Sequence, residues 1–189
     1  MADAPTDKPK RKPEILARRS VARSRLFHVE EVDLRFSNGV ETCYERLVGS
    51  SRGAVIVVPM QSDGTVLLIR EYAAGTDRYE LGLPKGLVEH GEDLLAAANR
   101  EIMEEIGFGA NQSEILGALT VAPGYMSHTT HVILAQDLYA KRVPGDEPET
   151  IEVVPWPLQN LSELLQCEDC TEARSIAALF MAREKLLGK

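Results

Sequence analysis

"GLVEHGEDLLAAANREIMEEIGF" (residues 86–108) sets Glu101, Glu104 and Glu105 three and four residues apart on what reads as one helix, from about 92 to 106. Leu95, Ala98, Ile102 and Ile106 recur at steps of three and four, which predicts the stripe that faces the core. Ala97 and the three glutamates fall on the neighbouring face. Like charges at that spacing repel by about 0.2–0.5 kcal/mol per pair. Arg100 and Glu104 stand at i, i+4 with the basic residue first, the less favourable order, and this pair leaves Glu101 and Glu105 without a counter-charge. Glu92 and Asp93 put negative charge at the positive end of the helix. Gly107 stands where a C-terminal cap belongs.

Two readings fit that acidic face. One is a solvated surface. The other is a site for a hard divalent cation, for which clustered carboxylates supply both oxygen ligands and charge. Gly86 and Gly91 bracket the approach to the helix and favour the second reading. Glycine permits close backbone approach, so a nearby carbonyl such as that of Lys85 can face the helix and complete a metal shell.

At 189 residues the chain suits one domain plus an arm, with a real core. A formal net charge of -8 disfavours nucleic acid as a partner, because that binding runs on phosphate neutralisation. An acidic enzyme still takes anionic substrates where a metal bridges the two. No apolar run approaches the roughly 18–20 residues of a membrane span, so no membrane partner is expected. "MADAPTDKPKRKPE" lacks the apolar centre of a secretory signal. Cys43, Cys167 and Cys170 are a sparse, odd set that fits a reduced, cytoplasmic setting.

Outward from the acidic helix, residues 1–14 read as a disordered, Pro- and Lys-rich tail. Residues 15–50 read as strands, with "SNG" (37–39) as a hairpin turn. The main domain is expected over 51–189. Within it, "AVIVVPM" (54–60) and "TVLLIREY" (65–72) flank "QSDG" and predict a hairpin of buried strands. "AAGTDRYELGLPKG" reads as a loop or irregular edge. Strands are expected at 114–122, 129–140 and "IEVVPW", and helices at "PLQNLSELLQ" and "TEARSIAALFMAREKLL". The last carries Ile176, Leu179, Phe180 and Met181 as its core-facing stripe. Intermixed strands and helices predict an α/β fold with helices covering a mixed sheet. Cys167 and Cys170 form half a zinc site at most and read as free thiols. His128 and His131 point to opposite faces of a strand, and Trp156 reads as packing.

Gly86, Glu92 and then Arg100-Glu101-Ile102-Met103-Glu104-Glu105-Ile106-Gly107-Phe108 stand in the register G-x5-E-x7-R-E-U-x-E-E-x-G-U, where U is bulky and apolar. This resembles the box of the Nudix hydrolase family at every fixed position. Phe108 is the one residue larger than the aliphatic usual there. The resemblance implies an α/β/α sandwich around a mixed sheet. It also implies hydrolysis of nucleoside diphosphates linked to another moiety, with two to three Mg²⁺ or Mn²⁺ ions per site. Glu101, Glu104 and Glu105 would then be metal ligands and catalytic, with the Lys85 carbonyl as backbone ligand and Arg100 orienting the cluster through Glu92.

Beyond the box, "VLLIREYAAGTDRYELGLPKG" and Pro123, fifteen residues past Phe108, resemble the ADP-ribose pyrophosphatase-like branch. Within it, the chain resembles the bacterial hydrolases of ADP compounds. Tyr125 lies near where diadenosine-polyphosphate hydrolases carry a tyrosine. The branch implies a homodimer built through the N-terminal strands, with Phe27 and Tyr44 able to reach a partner subunit's site. It places a general base in a late acidic loop, here "GDEPETIE", so Glu147 is the first candidate and Glu149 the second, also as a metal ligand. Substrate contacts fall to Arg70, Tyr72, Pro123 and Tyr125, and each tyrosine reads either as an adenine stacker or as a core residue. Residue 73 is alanine where the branch has a diphosphate-binding arginine, and Arg70 is the nearest substitute. That departure points to ADP-linked compounds as a class (ADP-ribose, diadenosine di- and triphosphate, NADH) rather than ADP-ribose alone. A nucleotide-sensing binding module, or a pyrophosphatase for another nucleoside diphosphate derivative, is the alternative.

Overall fold

The computed structural model describes residues 11–188, so residues 1–10 of the expected tail lie outside the described residues. The chain divides into two units.

The first unit comprises residues 11–49 with Ala122–Ser127. Strands β1 (Glu14–Arg23), β2 (His28–Arg35) and β3 (Glu41–Leu47) form an antiparallel sheet in that order. The 37–39 turn closes as expected: Gly39 takes φ +84°, and the Phe36 N–H donates to the Val40 carbonyl. Val32 is the buried hydrophobic among the described residues of this unit, whereas Ile15, Val21, Phe27 and Tyr44 are exposed. Arg19 reaches Glu31 and Asp33, and Arg35 reaches Glu14 and Glu41. Exposed pairs of this kind contribute about 0–1 kcal/mol each, so the backbone ladder carries the sheet. Residues 122–127, within the span expected for the main domain, cluster with these strands. The Leu47 N–H donates to the Tyr125 carbonyl at 2.7 Å, and the Ser127 N–H donates to the Leu47 carbonyl at 3.0 Å.

The second unit holds strands β4 (Ala54–Pro59), β5 (Thr65–Ala73), β6 (Arg78–Gly82) and β7 (Lys85–Leu87), then helix α1 (Leu94–Glu105). Strands β8 (Phe108–Leu119), β9 (Thr130–Ala140) and β10 (Glu152–Pro157) follow, then a 3-10 turn, α2 (Leu161–Leu164) and α3 (Ala173–Leu187). One sheet is mixed, in the order β7-β4-β9-β8, with β4 parallel to β9. The other is antiparallel, in the order β10-β5-β6. The apolar runs read as buried on both faces, and side-chain alternation divides them. Val55, Val57, Leu67, Ile69, Ile133 and Ala135 pack with Ala97, Ala98 and Ile102 of α1. Ile56, Val58, Val66, Leu68, Val132 and Leu134 pack with Ala178, Leu179 and Ala182 of α3. The fold is therefore of the expected α/β class, a mixed sheet between helices.

Four expectations change. Strands β4 and β5 are not a hairpin pair. They touch at one bridge, Met60 to Val66, and part into different sheets, because β4 pairs with β7 and β9 while β5 pairs with β6 and β10. The stretch read as a loop contains β6, joined to β5 through a turn at Asp77, which takes φ +54°. Strand β8 starts at Phe108 rather than near 114. Pairing with β9 overrides the weak strand propensity of "GANQS". The buried face of α1 is wider than the expected stripe: Ala98, Ile102 and Ile106 are buried as read, Leu95 is exposed, and Ala97, Glu101 and Glu105 of the neighbouring face are buried too. On α3, Ser175, Ala178, Leu179 and Ala182 are buried, with Ile176, Phe180 and Met181 packed at the margin of that core. Among the described residues no helix is long and apolar enough to cross a membrane.

Candidate active site

Asp93 starts α1. Its carboxylate accepts from the Leu95 and Ala96 N–H groups at 2.9 and 3.0 Å. That start sets the rotation that buries Glu101 and Glu105, i and i+4, at 7% and 4% exposure. Strand β7, the short edge of the mixed sheet, addresses both. The Lys85 N–H donates to Glu105 Oε2 at 3.2 Å. At Gly86, the next residue, a Cβ would overlap the Glu101 carboxylate. Gly86→Ala is therefore expected to displace Glu101, destabilising the fold by about 1–3 kcal/mol as overpacking does. Thermal melting checks this, and any gain in Tm on adding a divalent cation should shrink.

Arg100 ties the approach, the strand and the helix together. Its Nε and Nη2 donate to the two Glu92 oxygens at 3.0 and 3.1 Å, and Nη2 also reaches the Leu87 carbonyl at 3.0 Å. Its Nη1 lies between Glu101 (2.7 Å) and Glu104 (3.1 Å). The i, i+4 rule left Glu101 uncompensated, but the guanidinium spans the adjacent residue as well. Arg100 holds the Glu92 carboxyl below its ordinary range. Burial pushes the Glu101 carboxyl up against the opposing pull of Arg100. Burial pushes Glu105 up to about 9; Lys85 opposes this, while Glu101 and Glu71 add to it.

The donors fit a hard divalent cation in type: oxygen only, desolvated, and beside a backbone strand. Among the described residues the Glu105 carboxylate accepts a single hydrogen bond, so it keeps oxygen lone pairs for a ligand. Among the described residues no three ligand side chains converge as a preformed cage, and Arg100 Nη1 supplies the counter-charge to Glu101 and Glu104.

The late acidic loop lies against the same helix end. Glu104 and Glu105 line a cavity of about 380 Å³ with Arg142, Gly145, Glu147 and Glu149. The Glu147 carboxylate folds over Gly145, where a Cβ would overlap it. Arg142 Nη1 donates to the Glu104 carbonyl at 3.1 Å and so caps the helix.

The other expected site residues separate into groups. Arg70 is paired with Glu152 at 2.8 Å and Asp169 at 3.0 Å. Tyr72, half exposed, lines a cavity of about 390 Å³ with Glu71, Glu80, Lys85 and Thr171. Pro123 and Tyr125 line a cavity of the first unit, about 340 Å³, together with Val32 and Tyr44. Sequence reasoning missed Glu71, whose carboxylate holds Lys85 Nζ at 3.1 Å, and Tyr79, whose hydroxyl donates to Glu149 at 2.7 Å. The signal for both was the unrecognised strand β6, whose register sets Tyr79 opposite Tyr72 and Glu80 opposite Glu71.

Residues 13–46 match the family model described as the NudE-type Nudix hydrolase N-terminal domain, and residues 50–179 match the NUDIX domain. The chain is 52% identical over 178 residues to ADP compounds hydrolase NudE of Escherichia coli (strain K12), spanning 94% of this chain and 95% of that one. It is 26% identical over 173 residues to ADP-ribose pyrophosphatase of Bacillus subtilis (strain 168), spanning 87% and 91%. A solved structure described as the crystal structure of ADP compounds hydrolase aligns with a TM-score of 0.89 at 51% identity, covering 96% of this chain and 98% of that one.

Proposed function

We propose that this chain, which belongs to the Nudix hydrolase family and is an enzyme of its NudE-like, pyrophosphatase kind, hydrolyses the diphosphate linkage of ADP-linked compounds and releases AMP. The observation that carries the reading is the buried Glu101–Glu105 pair, set against β7, with Glu105 and its neighbour Glu104 opening on the cavity of the acidic loop. The similarity to an ADP compounds hydrolase over 94% of the chain supports the substrate class. A net charge of -8 favours small anionic substrates over nucleic acid.

Glu101, Glu104 and Glu105, with the Lys85 carbonyl and Glu149, would hold two to three divalent ions, Mg²⁺ or Mn²⁺. When bound, these neutralise the diphosphate oxygens and lower the pKa of a bound water. The chain's own groups do the rest. Glu147 accepts the proton of the attacking water as general base. Arg100 fixes the glutamates through Glu92, an orienting task one step removed from substrate. The water oxygen bonds to phosphorus, the bridging P–O bond breaks, and AMP leaves with the phosphorylated second moiety. Tyr72 and Tyr125 are the adenine-stacking candidates, and Pro123 shapes the wall beside Tyr125. Arg70 reaches a phosphate only by leaving Glu152 or Asp169.

A panel of ADP-ribose, diadenosine di- and triphosphate and NADH, each with Mg²⁺ or Mn²⁺ and scored for AMP, tests the reading. AMP release from at least one is expected, and none from any would overturn it in favour of a binding module. The exposed Ile15, Val21, Phe27 and Tyr44 support assembly of two copies through the first unit. Light scattering at micromolar concentration should give twice the chain mass, and a monomer would end that assignment. Free Cys43, Cys167 and Cys170 suit a reducing, cytoplasmic setting.

A further inference from the structure

The acidic loop between β9 and β10 has no regular structure, and its ends are fixed. At its entrance the Lys141 N–H donates to the Gly107 carbonyl at 3.0 Å, and the Val143 N–H donates to the Met103 carbonyl at 3.2 Å. At its exit Ile151 is buried beneath α1. Across 144–150, among the described residues, one hydrogen bond arrives from outside the segment: the Tyr79 hydroxyl to Glu149 Oε1, at 2.7 Å.

Tyr79 is well placed to hold that point. It sits on β6 directly opposite Tyr72 of β5. The two rings meet edge to face, with centroids 5.7 Å apart and planes at 68°. The Tyr72 hydroxyl is itself tied to Asp77 in the β5–β6 turn. The phenol is thus braced from behind by the hairpin, and its hydrogen bond to a carboxylate is of the stronger, charge-assisted kind. Glu149 Oε2 is left without a protein donor among the described residues. Glu147, two residues earlier, folds over Gly145 and lies near enough to add its charge to that felt by Glu101.

We infer that Tyr79 is a positioning residue: through Glu149 it latches the acidic loop to the β5–β6 hairpin and so keeps Glu147 over the glutamates of α1. This rests on the reading of that loop as part of the reacting site. The latch assigns a task to Tyr79 that needs its hydroxyl, not only its ring.

Tyr79→Phe keeps the ring and its stacking on Tyr72 and removes the hydroxyl. Limited proteolysis of metal-free protein with a broad-specificity protease, read by mass spectrometry, should show cleavage within 143–150 about tenfold faster, the effect of losing one charge-assisted bond. Turnover with the best substrate of the panel should fall about tenfold in kcat with little change in KM, the mark of a displaced reacting group. In a Glu149→Ala background Tyr79→Phe should add no further loss. An unchanged Tm keeps the result apart from a folding defect. Loop cleavage equal to wild type would overturn the latch, as would an unchanged kcat or additive losses where Glu147→Gln itself lowers turnover. Glu147→Gln is measured in the same series: normal turnover there would defeat the base assignment, and loop cleavage would still decide the latch.

Discussion

Glu105→Gln is expected to cut cation-dependent AMP release at least about 10²-fold, the scale of losing a group that stabilises charge in a closed site. The same change should stabilise the metal-free protein at alkaline pH. Glutamine is close in shape and keeps an oxygen for the Lys85 N–H, so the change removes charge with little disturbance of packing. Burial lifts the Glu105 carboxyl from 4.5 to about 9 in the folded chain. The folded state therefore holds that proton more tightly than the unfolded state. Its contribution to stability is full below about 4.5 and is lost progressively as pH rises through about 9. Melting curves from pH 5 to 9 in a chelator should show this fall in the wild type and a flatter profile in Glu105→Gln. Mg²⁺ should restore the wild type most at the alkaline end, where the cation no longer competes with a proton. Unchanged turnover in the variant would remove Glu105 from the site altogether.

Glu147→Gln should lower kcat at least about 10²-fold with a small effect on KM, because a general base acts on the reacting water and not on substrate affinity. The carboxylate lines the same cavity as Glu104 and Glu105 and is folded over Gly145, where the missing Cβ leaves space for it. Glu149→Gln, compared in the same assay, separates the two acids, since Glu149 is engaged by Tyr79 and Glu147 is not. A loss of only a few-fold for Glu147→Gln would transfer the role to another carboxylate.

The acidic helix and its approach were legible because their function is local. Gly86, Glu92, Arg100 and the three glutamates lie within one strand-to-helix passage, and their spacing alone aligns them. The full width of that helix's buried face was not legible. Periodicity assigned the buried face from apolar residues, so it chose Leu95 and left the glutamates outside. The structure buries Glu101 and Glu105 and exposes Leu95. A carboxylate counts as polar in any pattern, even where burial is its working condition. Strand partners were hidden for a different reason: β4 and β5 are adjacent in sequence and equally apolar, and only the competition of β7, β9, β6 and β10 for their edges separates them. Tyr79 meets Glu149 seventy residues away, a distance no local pattern spans.

Strand β7 is three residues long and joins β4 by the pairs Ala54–Leu87, Val55–Gly86 and Ile56–Lys85. This makes it a ruler as well as a wall. A slip of one position would turn every side chain to the opposite face and bring a Cβ where Gly86 leaves space for the Glu101 carboxylate. The passage from Pro84 to Glu105 should therefore accept many changes of side chain at its exposed positions, such as Glu89, His90 and Leu95, but no change of length. Insertions and deletions belong elsewhere in this molecule. In a library of length variants, the boundary of tolerated change should trace the register of β7 more sharply than any alanine scan.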